Sequence, residues 1–311
     1  MLRQVLLQAS RSGTVRSLVE SAPLSRGVVR RFVPGVAVED AVRTCADLAG
    51  RGLATSLDHL GEDTSDPEQA RAVRDAYVTL LDALSDAGLT AGGRSEVSVK
   101  LSAVGQALGA DGEKIALDHA REICLAAARA GTTVTLDMED HTTTDATLSV
   151  LRELRRDFPW VGAVLQAYLY RTEADCRDLA AEGSRVRLCK GAYREPESVA
   201  FQAPLDVDRS YVRCLKVLMA GGAYAMVATH DPRLVDIAGA LAAQHRRGPE
   251  SYEYQMLYGV RPHEQARLAE QGETVRVYVP YGDEWYGYLM RRLAERPANL
   301  AFFLRSLVTK G

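Results

Sequence analysis

Long apolar runs are missing from this chain of 311 residues, and nothing approaches the ~20 apolar residues a membrane-spanning helix needs. Paired cysteines are missing too. Cys45, Cys124, Cys176, Cys189 and Cys214 are odd in number and scattered, with no CxxC spacing. That excludes a disulfide framework, argues against a zinc site or redox dithiol, and suits a reducing cytoplasm. Neither sign of charge dominates: 38 Lys and Arg against 41 Asp and Glu leave a formal charge of −3, so no nucleic acid partner is expected. What remains is ordinary for a globular protein, with 47% hydrophobic and 25% charged residues. The length suits one large domain or two average ones.

Residues 1–35 differ from the rest. They hold Arg3, Arg11, Arg16, Arg26, Arg30 and Arg31 against a single acid, Glu20. The preferred reading is an amphipathic helix from about Leu2 to Val19 that packs on the main body. A transit peptide and a basic helix touching an anionic membrane are the alternatives.

From residue 50 onward, short β-branched runs alternate with helical stretches. The expected strands are Gly52–Leu60, Glu96–Ser102, Thr132–Glu139, Val161–Leu169, Arg185–Gly191, Tyr224–Asp231, Tyr252–Gly259 and Thr274–Tyr281. The expected helices are Asp66–Ala87, Gly112–Arg129, Thr143–Asp157, Thr172–Glu182, Asp206–Gly221, Pro232–His245, Arg261–Glu270 and Asp283–Arg296, with a further helical segment at Asn299–Thr309. A count of eight, and no GxGxxG after the first strand, favour a (β/α)8 barrel over a doubly wound sheet. Alternation within the strands adds a second feature. Val97, Val99 and Leu101 alternate with Ser98, Lys100 and Ser102, while Val186 and Leu188 alternate with Arg185 and Arg187. The apolar set faces the helix ring, so the polar set faces inward. Inward Lys, Asp, Gln and Arg are costly unless paired or ligand-bound. The inference is a charged cavity at the C-terminal mouth; the alternative is a buried ion network without a ligand.

Several strand ends carry chemistry. Lys100 and Asp137, on neighbouring strands, are expected to form an ion pair; a Schiff-base role for Lys100 is weakened by such a neighbour. Gln166 and Tyr168 point inward on the fourth strand. Arg187 is followed by Lys190-Gly191-Ala192-Tyr193, a turn suited to an anionic or electron-rich ligand. His230, at a helix start, either meets a phosphate or serves as a capping residue. On the seventh strand Glu253 and Gln255 share a face. Tyr278 ends the eighth strand, and the next helix places Tyr288, Arg291, Arg292 and Glu295 at helical spacing. Two adjacent arginines make a carboxylate clamp or a solvated basic face.

In order, Ser98-Val99-Lys100-Leu101-Ser102, Asp137 with Glu139, Gln166-Ala167-Tyr168, Arg187-Leu188-Cys189-Lys190-Gly191-Ala192-Tyr193, Ala228-Thr229-His230, Tyr252-Glu253-Tyr254-Gln255, Tyr278-Val279-Pro280-Tyr281-Gly282 and Tyr288-Leu289-Met290-Arg291-Arg292-Leu293 resemble the proline dehydrogenase family over about residues 50–305. The resemblance is to the short, monofunctional bacterial form. It implies a distorted (β/α)8 TIM barrel (α/β class) over 50–311, an N-terminal helical segment over 1–49 packing on it, and the last barrel helix placed over the mouth. It also implies FAD-dependent oxidation of L-proline to Δ1-pyrroline-5-carboxylate, by hydride transfer from proline C5 to flavin N5. Arg187 would sit beside flavin N5. Met138, Gln166, Lys190, Gly191, Ala192, Tyr193, Thr229, His230 and Gln255 would contact the cofactor. Lys100, Arg291 and Arg292 would bind the substrate carboxylate, Tyr278 and Tyr288 would enclose its ring, and Asp137 and Glu295 would hold these cations in place. Asp137 and Arg187 are the expected catalytic pair, and no metal is expected. A membrane quinone is the implied electron acceptor, met at the inner face of the membrane by a cytoplasmic protein, and a pyrroline-5-carboxylate dehydrogenase is the implied partner for the product. The competing readings from the residues are a Schiff-base lyase using Lys100 or Lys190 and a non-catalytic amino-acid sensor.

Overall fold

The structure, a computed structural model, describes residues 25–295, with side-chain surroundings for 29–292. The expected helices at Leu2–Val19 and Asn299–Thr309 lie outside the described residues. Two helices lead in, α1 (Ser25–Phe32) and α2 (Val38–Gly50). Eight strands follow: β1 (Ala54–His59), β2 (Ser95–Val99), β3 (Val134–Leu136), β4 (Gly162–Gln166), β5 (Arg185–Cys189), β6 (Tyr224–Ala228), β7 (Tyr252–Leu257) and β8 (Val275–Tyr281). They form one closed parallel barrel in chain order, with β8 pairing back to β1 through Ala54↔Arg276 and Ser56↔Tyr278. The interleaved helices are α3 (Pro67–Asp86), α4 (Gly112–Arg129), α5 (Thr144–Arg155), α6 (Thr172–Ala181), α7 (Pro204–Ala220), α8 (Pro232–Gln244), α9 (Pro262–Glu270) and α10 (Trp285–Glu295). Every expected strand and barrel helix is present. Most expected strands run a few residues too far at the C-terminal end, because those residues belong to the turns of the mouth.

Local chemistry sets the boundaries. Asp66 accepts the Glu68 N–H at 2.9 Å ahead of Pro67, and Asp231 accepts the Arg233 N–H at 3.1 Å ahead of Pro232. The outward faces of the strands (Leu57, Val97, Val99, Leu136, Val277, Val279) are buried together with Tyr77, Leu80, Leu81 and Leu84 of α3. Burying each such leucine contributes about 2 kcal/mol. Ala41, Cys45 and Leu48 attach α2 to the same core. The last helix is different. Tyr286, Tyr288, Leu289 and Met290 of α10 cluster with Phe32 and Val33 from the α1 end and with Leu60 beyond β1. This helix therefore packs on α1 and a mouth loop rather than in the outer ring.

The barrel interior is charged from floor to mouth. At the floor, Arg276 forks onto Glu253 at 2.7 and 3.1 Å, and Arg185 meets Glu96 at 3.0 Å. Thr133 and Thr135 donate to Glu96, and Tyr224 donates to Glu253. Both glutamates are completely buried. The lower half of the barrel is thus the buried ion network offered as the alternative, and the inferred ligand site is confined to the upper layers. Burial raises the Glu96 carboxyl, but the charges of Arg276, Arg185 and Arg187 outweigh it and hold the pKa down at about 2.

Two outcomes follow for Glu96. Glu96→Gln strips the countercharge from buried arginines, so chemical denaturation should show a loss of about 3–5 kcal/mol. Because the folded pKa lies below the ordinary value of 4.5, the carboxylate's contribution is fully present above that pH. It is lost as pH falls from there through about 2, and the Gln variant should lack this part of the acid transition.

Candidate active site

Arg187 lies in the middle of β5, points inward by strand alternation and is buried. All five of its N–H donors meet protein acceptors. Nε donates to Gln255 Oε1. One terminal nitrogen donates to Ser98 Oγ at 2.7 Å and Asp137 Oδ1 at 2.8 Å. The other donates to Ser56 Oγ at 2.9 Å and Glu96 Oε1 at 3.5 Å. Asp137, the first residue past β3, takes a second bond on Oδ1 from Ser98 Oγ at 2.8 Å and one on Oδ2 from Tyr278 Oη at 2.7 Å. The guanidinium sits 5.2 Å from the Tyr278 ring centre, so charge and phenol face are also in contact.

Lys100 does not pair with Asp137 as expected. Its ammonium donates to Asp58 Oδ2 at 2.6 Å. The reason is competition: Arg187 and Ser98 occupy one oxygen of Asp137, and Tyr278 occupies the other. Nor do Lys100 and the α10 arginines lean on Asp137 for position; Asp137 holds Arg187 and Tyr278. Burial lowers the lysine pKa, yet Asp58, Asp137 and Glu62 together push it above the ordinary value. A lysine held protonated is a poor nucleophile, which argues against the Schiff-base reading.

Arg291 forks onto Glu62 at 2.9 and 3.2 Å, a partner in the loop after β1 that sequence reasoning missed. Arg292 lies 5.0 Å from the Tyr288 ring centre, one helical turn back. Glu295 ends α10, and its side chain lies outside the described residues. Burial and the charges of Glu62 and Glu139 raise the Tyr193 phenol. Glu139 accepts from Ser102 N at 3.1 Å and Ser102 Oγ at 2.5 Å, and Ser102 Oγ accepts Asp63 N–H at 3.1 Å. Together these bonds tie the Glu62 loop to the ends of β2 and β3.

The opposite sector is formed by β4 to β7. Gln166 donates to the Met138 carbonyl at 3.4 Å, while its Oε1 is buried with no hydrogen-bond partner, an acceptor suited to a heterocyclic N–H. Lys190 meets Asp208 at 2.5 Å and Asp231 at 3.2 Å. Thr229 Oγ1 accepts the Asp231 N–H. His230 Nε2 accepts Leu257 N–H at 2.9 Å, and its carbonyl accepts from Arg261, so it ties β6 to the end of β7. The start of α8 carries the Asp231 carboxylate on one of its own N–H groups. Gly191 has φ +118°, and a Cβ on it would lie 2.4 Å from the Tyr168 ring, whose hydroxyl is held by Glu195. Ala192 is exposed beside it.

Thus Lys100, Asp137, Tyr278 and Arg291 line one side of the mouth, and Gln166, Lys190, Gly191, Thr229 and His230 the other. Arg187 and Gln255 join the two. Sequence reasoning missed Ser56, Asp58, Glu62 and Glu96. For Ser56, Asp58 and Glu96 the signal was present, since Ser56 and Asp58 share a strand face as Ser98 and Lys100 do, with Glu96 on that face too. Gly191→Ala adds backbone strain to a ring clash, so thermal or chemical denaturation should register a loss of about 2 kcal/mol or more. An unchanged midpoint would mean that the turn re-forms without the left-handed backbone.

Comparison with known proteins identifies the family. Residues 41–305 fit the family model described as proline dehydrogenase. The chain is 38% identical to proline dehydrogenase 1 of Bacillus subtilis strain 168, over all of both chains. It is 40% identical to the proline dehydrogenase of Deinococcus radiodurans, over 90% of each. Proline utilization A from Bdellovibrio bacteriovorus superposes with a TM-score of 0.83 at 23% identity, covering all of this chain and 38% of that one, which bears on the fold. Family match, full-length relatives and barrel agree: this chain belongs to the proline dehydrogenase family.

Proposed function

We propose that this protein oxidises L-proline to Δ1-pyrroline-5-carboxylate with FAD as cofactor and delivers the electrons to a membrane quinone. The observation that carries this reading is the meeting, at one barrel mouth, of a cationic sector (Lys100, Arg291) with the Arg187–Asp137–Tyr278 centre. The other sector suits a flavin: it offers the unpartnered Gln166 acceptor, the close-packed Gly191 turn and the Lys190 cation. Bound there, FAD would supply the two-electron acceptor for the hydride from proline C5.

The chain's own residues orient and tune. Lys100, Arg291 and Arg292 fix the substrate carboxylate, a planar anion matched by guanidinium forks. Arg291 exchanges Glu62 for substrate when it does so. Tyr278 and Tyr288 border the ring, and fixing the carboxylate aligns C5. Arg187 places a fixed positive charge near the cofactor ring; because its donors are already held by the protein, it needs no reorganisation to act. Met138, Gln166, Lys190, Gly191, Ala192, Tyr193, Thr229, His230 and Gln255 are the proposed cofactor contacts. Among the described residues no helix is long and apolar enough to cross a membrane, so the proposed quinone is met at the membrane surface. A pyrroline-5-carboxylate dehydrogenase is the proposed consumer of the product.

The visible spectrum before and after anaerobic L-proline tests the reading. Flavin bands that bleach are expected. Bands that persist overturn the substrate assignment, and a protein that stays colourless after FAD is supplied overturns the cofactor. Arg291→Met and Arg292→Met should each lower kcat/KM by an amount equivalent to ~2–4 kcal/mol of transition-state binding. Wild-type kcat/KM in both variants would refute the carboxylate clamp.

A further inference from the structure

The substrate side of the mouth contains one carboxylate oxygen without a partner. Asp58 stands near the end of β1 with its side chain 2% exposed. Oδ2 takes the Lys100 ammonium at 2.6 Å, while Oδ1 is buried without a hydrogen bond of ordinary length, the nearby Tyr278 hydroxyl being given to Asp137 at 2.7 Å. A buried carboxylate oxygen without a donor is costly to maintain, and such an atom needs an explanation. The charged and titratable groups around Asp58 are Lys100 from the end of β2, Asp137 from the end of β3, Tyr278 from β8 and Arg291 from α10. Tyr77 of α3 and Tyr281 of β8 lie behind it. Lys100 and Arg291 are the cations already assigned to the substrate carboxylate.

On the reading that the chain oxidises proline, we propose that Asp58 is the base that takes the proton from the substrate's secondary ammonium. The nitrogen and carboxylate of an α-amino acid hang on one carbon, so their polar atoms are about 3 Å apart. Lys100 Nζ lies 2.6 Å from Oδ2 of Asp58, so the cation and the carboxylate are immediate neighbours. A zwitterion whose carboxylate meets Lys100 therefore brings its nitrogen to Asp58. The N–H bond breaks as the Oδ1–H bond forms, and the freed electron pair becomes the second bond of C5=N when the hydride leaves C5 for the two-electron acceptor. One proton and one hydride convert the ammonium to the protonated imine, which passes its remaining N–H proton to water to give the neutral imine. Burial, aided by the charge of Asp137 and opposed by Lys100, holds the Asp58 carboxyl above its ordinary range, the direction a proton acceptor in a dry site requires.

Asp58→Asn separates this role from mere support of Lys100. Two readouts are needed: the rate of anaerobic flavin reduction by proline across pH, and calorimetric binding of tetrahydrofuran-2-carboxylate, which keeps the carboxylate but has a ring oxygen in place of the amine. Expected is a fall of about 100-fold in the reduction rate at neutral pH, with recovery at high pH, where proline arrives already deprotonated. Binding of the ring-oxygen analogue should stay within about threefold, since it carries no proton to remove. A rate deficit that is the same at every pH, with analogue binding weakened in parallel, overturns the proposal and leaves Asp58 as a prop for Lys100. An unchanged rate also overturns it. If the Asn variant fails to retain flavin, Asp58→Glu carries the test: a displaced carboxylate should lower the rate at neutral pH and lose that deficit at high pH, and a deficit equal at every pH, or none, refutes the base. A wild-type protein that proline does not reduce would sink the proline reading itself, an outcome distinct from any of these.

Discussion

The guanidinium of Arg187 is the interaction on which the interior rests. It reaches from β5 to Ser56 on β1, Glu96 and Ser98 on β2, Asp137 past β3 and Gln255 on β7. A cation in the middle of a barrel is a large desolvation cost, and only a full set of acceptors offsets it. Its neighbours complete the balance. Arg185, Arg187 and Arg276 face Glu96, Glu253 and Asp137, and Lys100 faces Asp58. The interior is thus close to neutral although almost every layer is ionic. It is also rigid, because removing any member leaves another charge alone.

The acceptors of this network are satisfied less completely toward the mouth. At the floor, Glu96 and Glu253 each receive several donors, and Arg276 donates further to the Thr55 and Gly93 carbonyls. Arg187 in the middle layer is saturated. At the mouth the pattern breaks: Gln166 Oε1 and Asp58 Oδ1 are buried without donors. Groups that cost stability without returning it are tolerated where function uses them. The lower network fixes the positions of the strands, and the upper layer holds hydrogen-bonding capacity for something other than the protein.

Much of this could be read from the residues. Strand alternation showed that Lys100 and Arg187 look inward, and the alternating pattern located every barrel helix. Alternation alone does not say which neighbour wins. Lys100 lies between β1 and β3 and has a carboxylate on each side; a long flexible ammonium follows whichever is left unoccupied. That depends on Arg187 and Tyr278, whose claims on Asp137 come from strands distant in sequence. Glu62 escaped notice for a different reason. It sits in a loop without periodicity, and its link to Arg291 spans 229 positions of chain. The extent of the ionic floor was also hidden, since a charged residue that faces inward looks the same in sequence whether it binds a ligand or another side chain.

The N-terminal approach to the barrel also bears on the mouth, although α1 lies before the region matched by the family model. Phe32 and Val33 pack with Tyr286, Tyr288, Leu289 and Met290, the same turns of α10 that lead to Arg291. The backbone of this segment is fastened at two strand ends. A Cβ on Gly259, past β7, would lie 1.7 Å from the Arg31 carbonyl, so only glycine lets the chain pass. Past β8, Gly282 donates its N–H to the Gly35 carbonyl at 3.3 Å. The helix that covers the mouth is therefore held from above by α1 and from the side by Glu62. Apolar packing fixes where α10 lies, whereas among the described residues the Glu62 ion pair fixes where Arg291 points. That division lets the arginine change partners without the helix leaving its place.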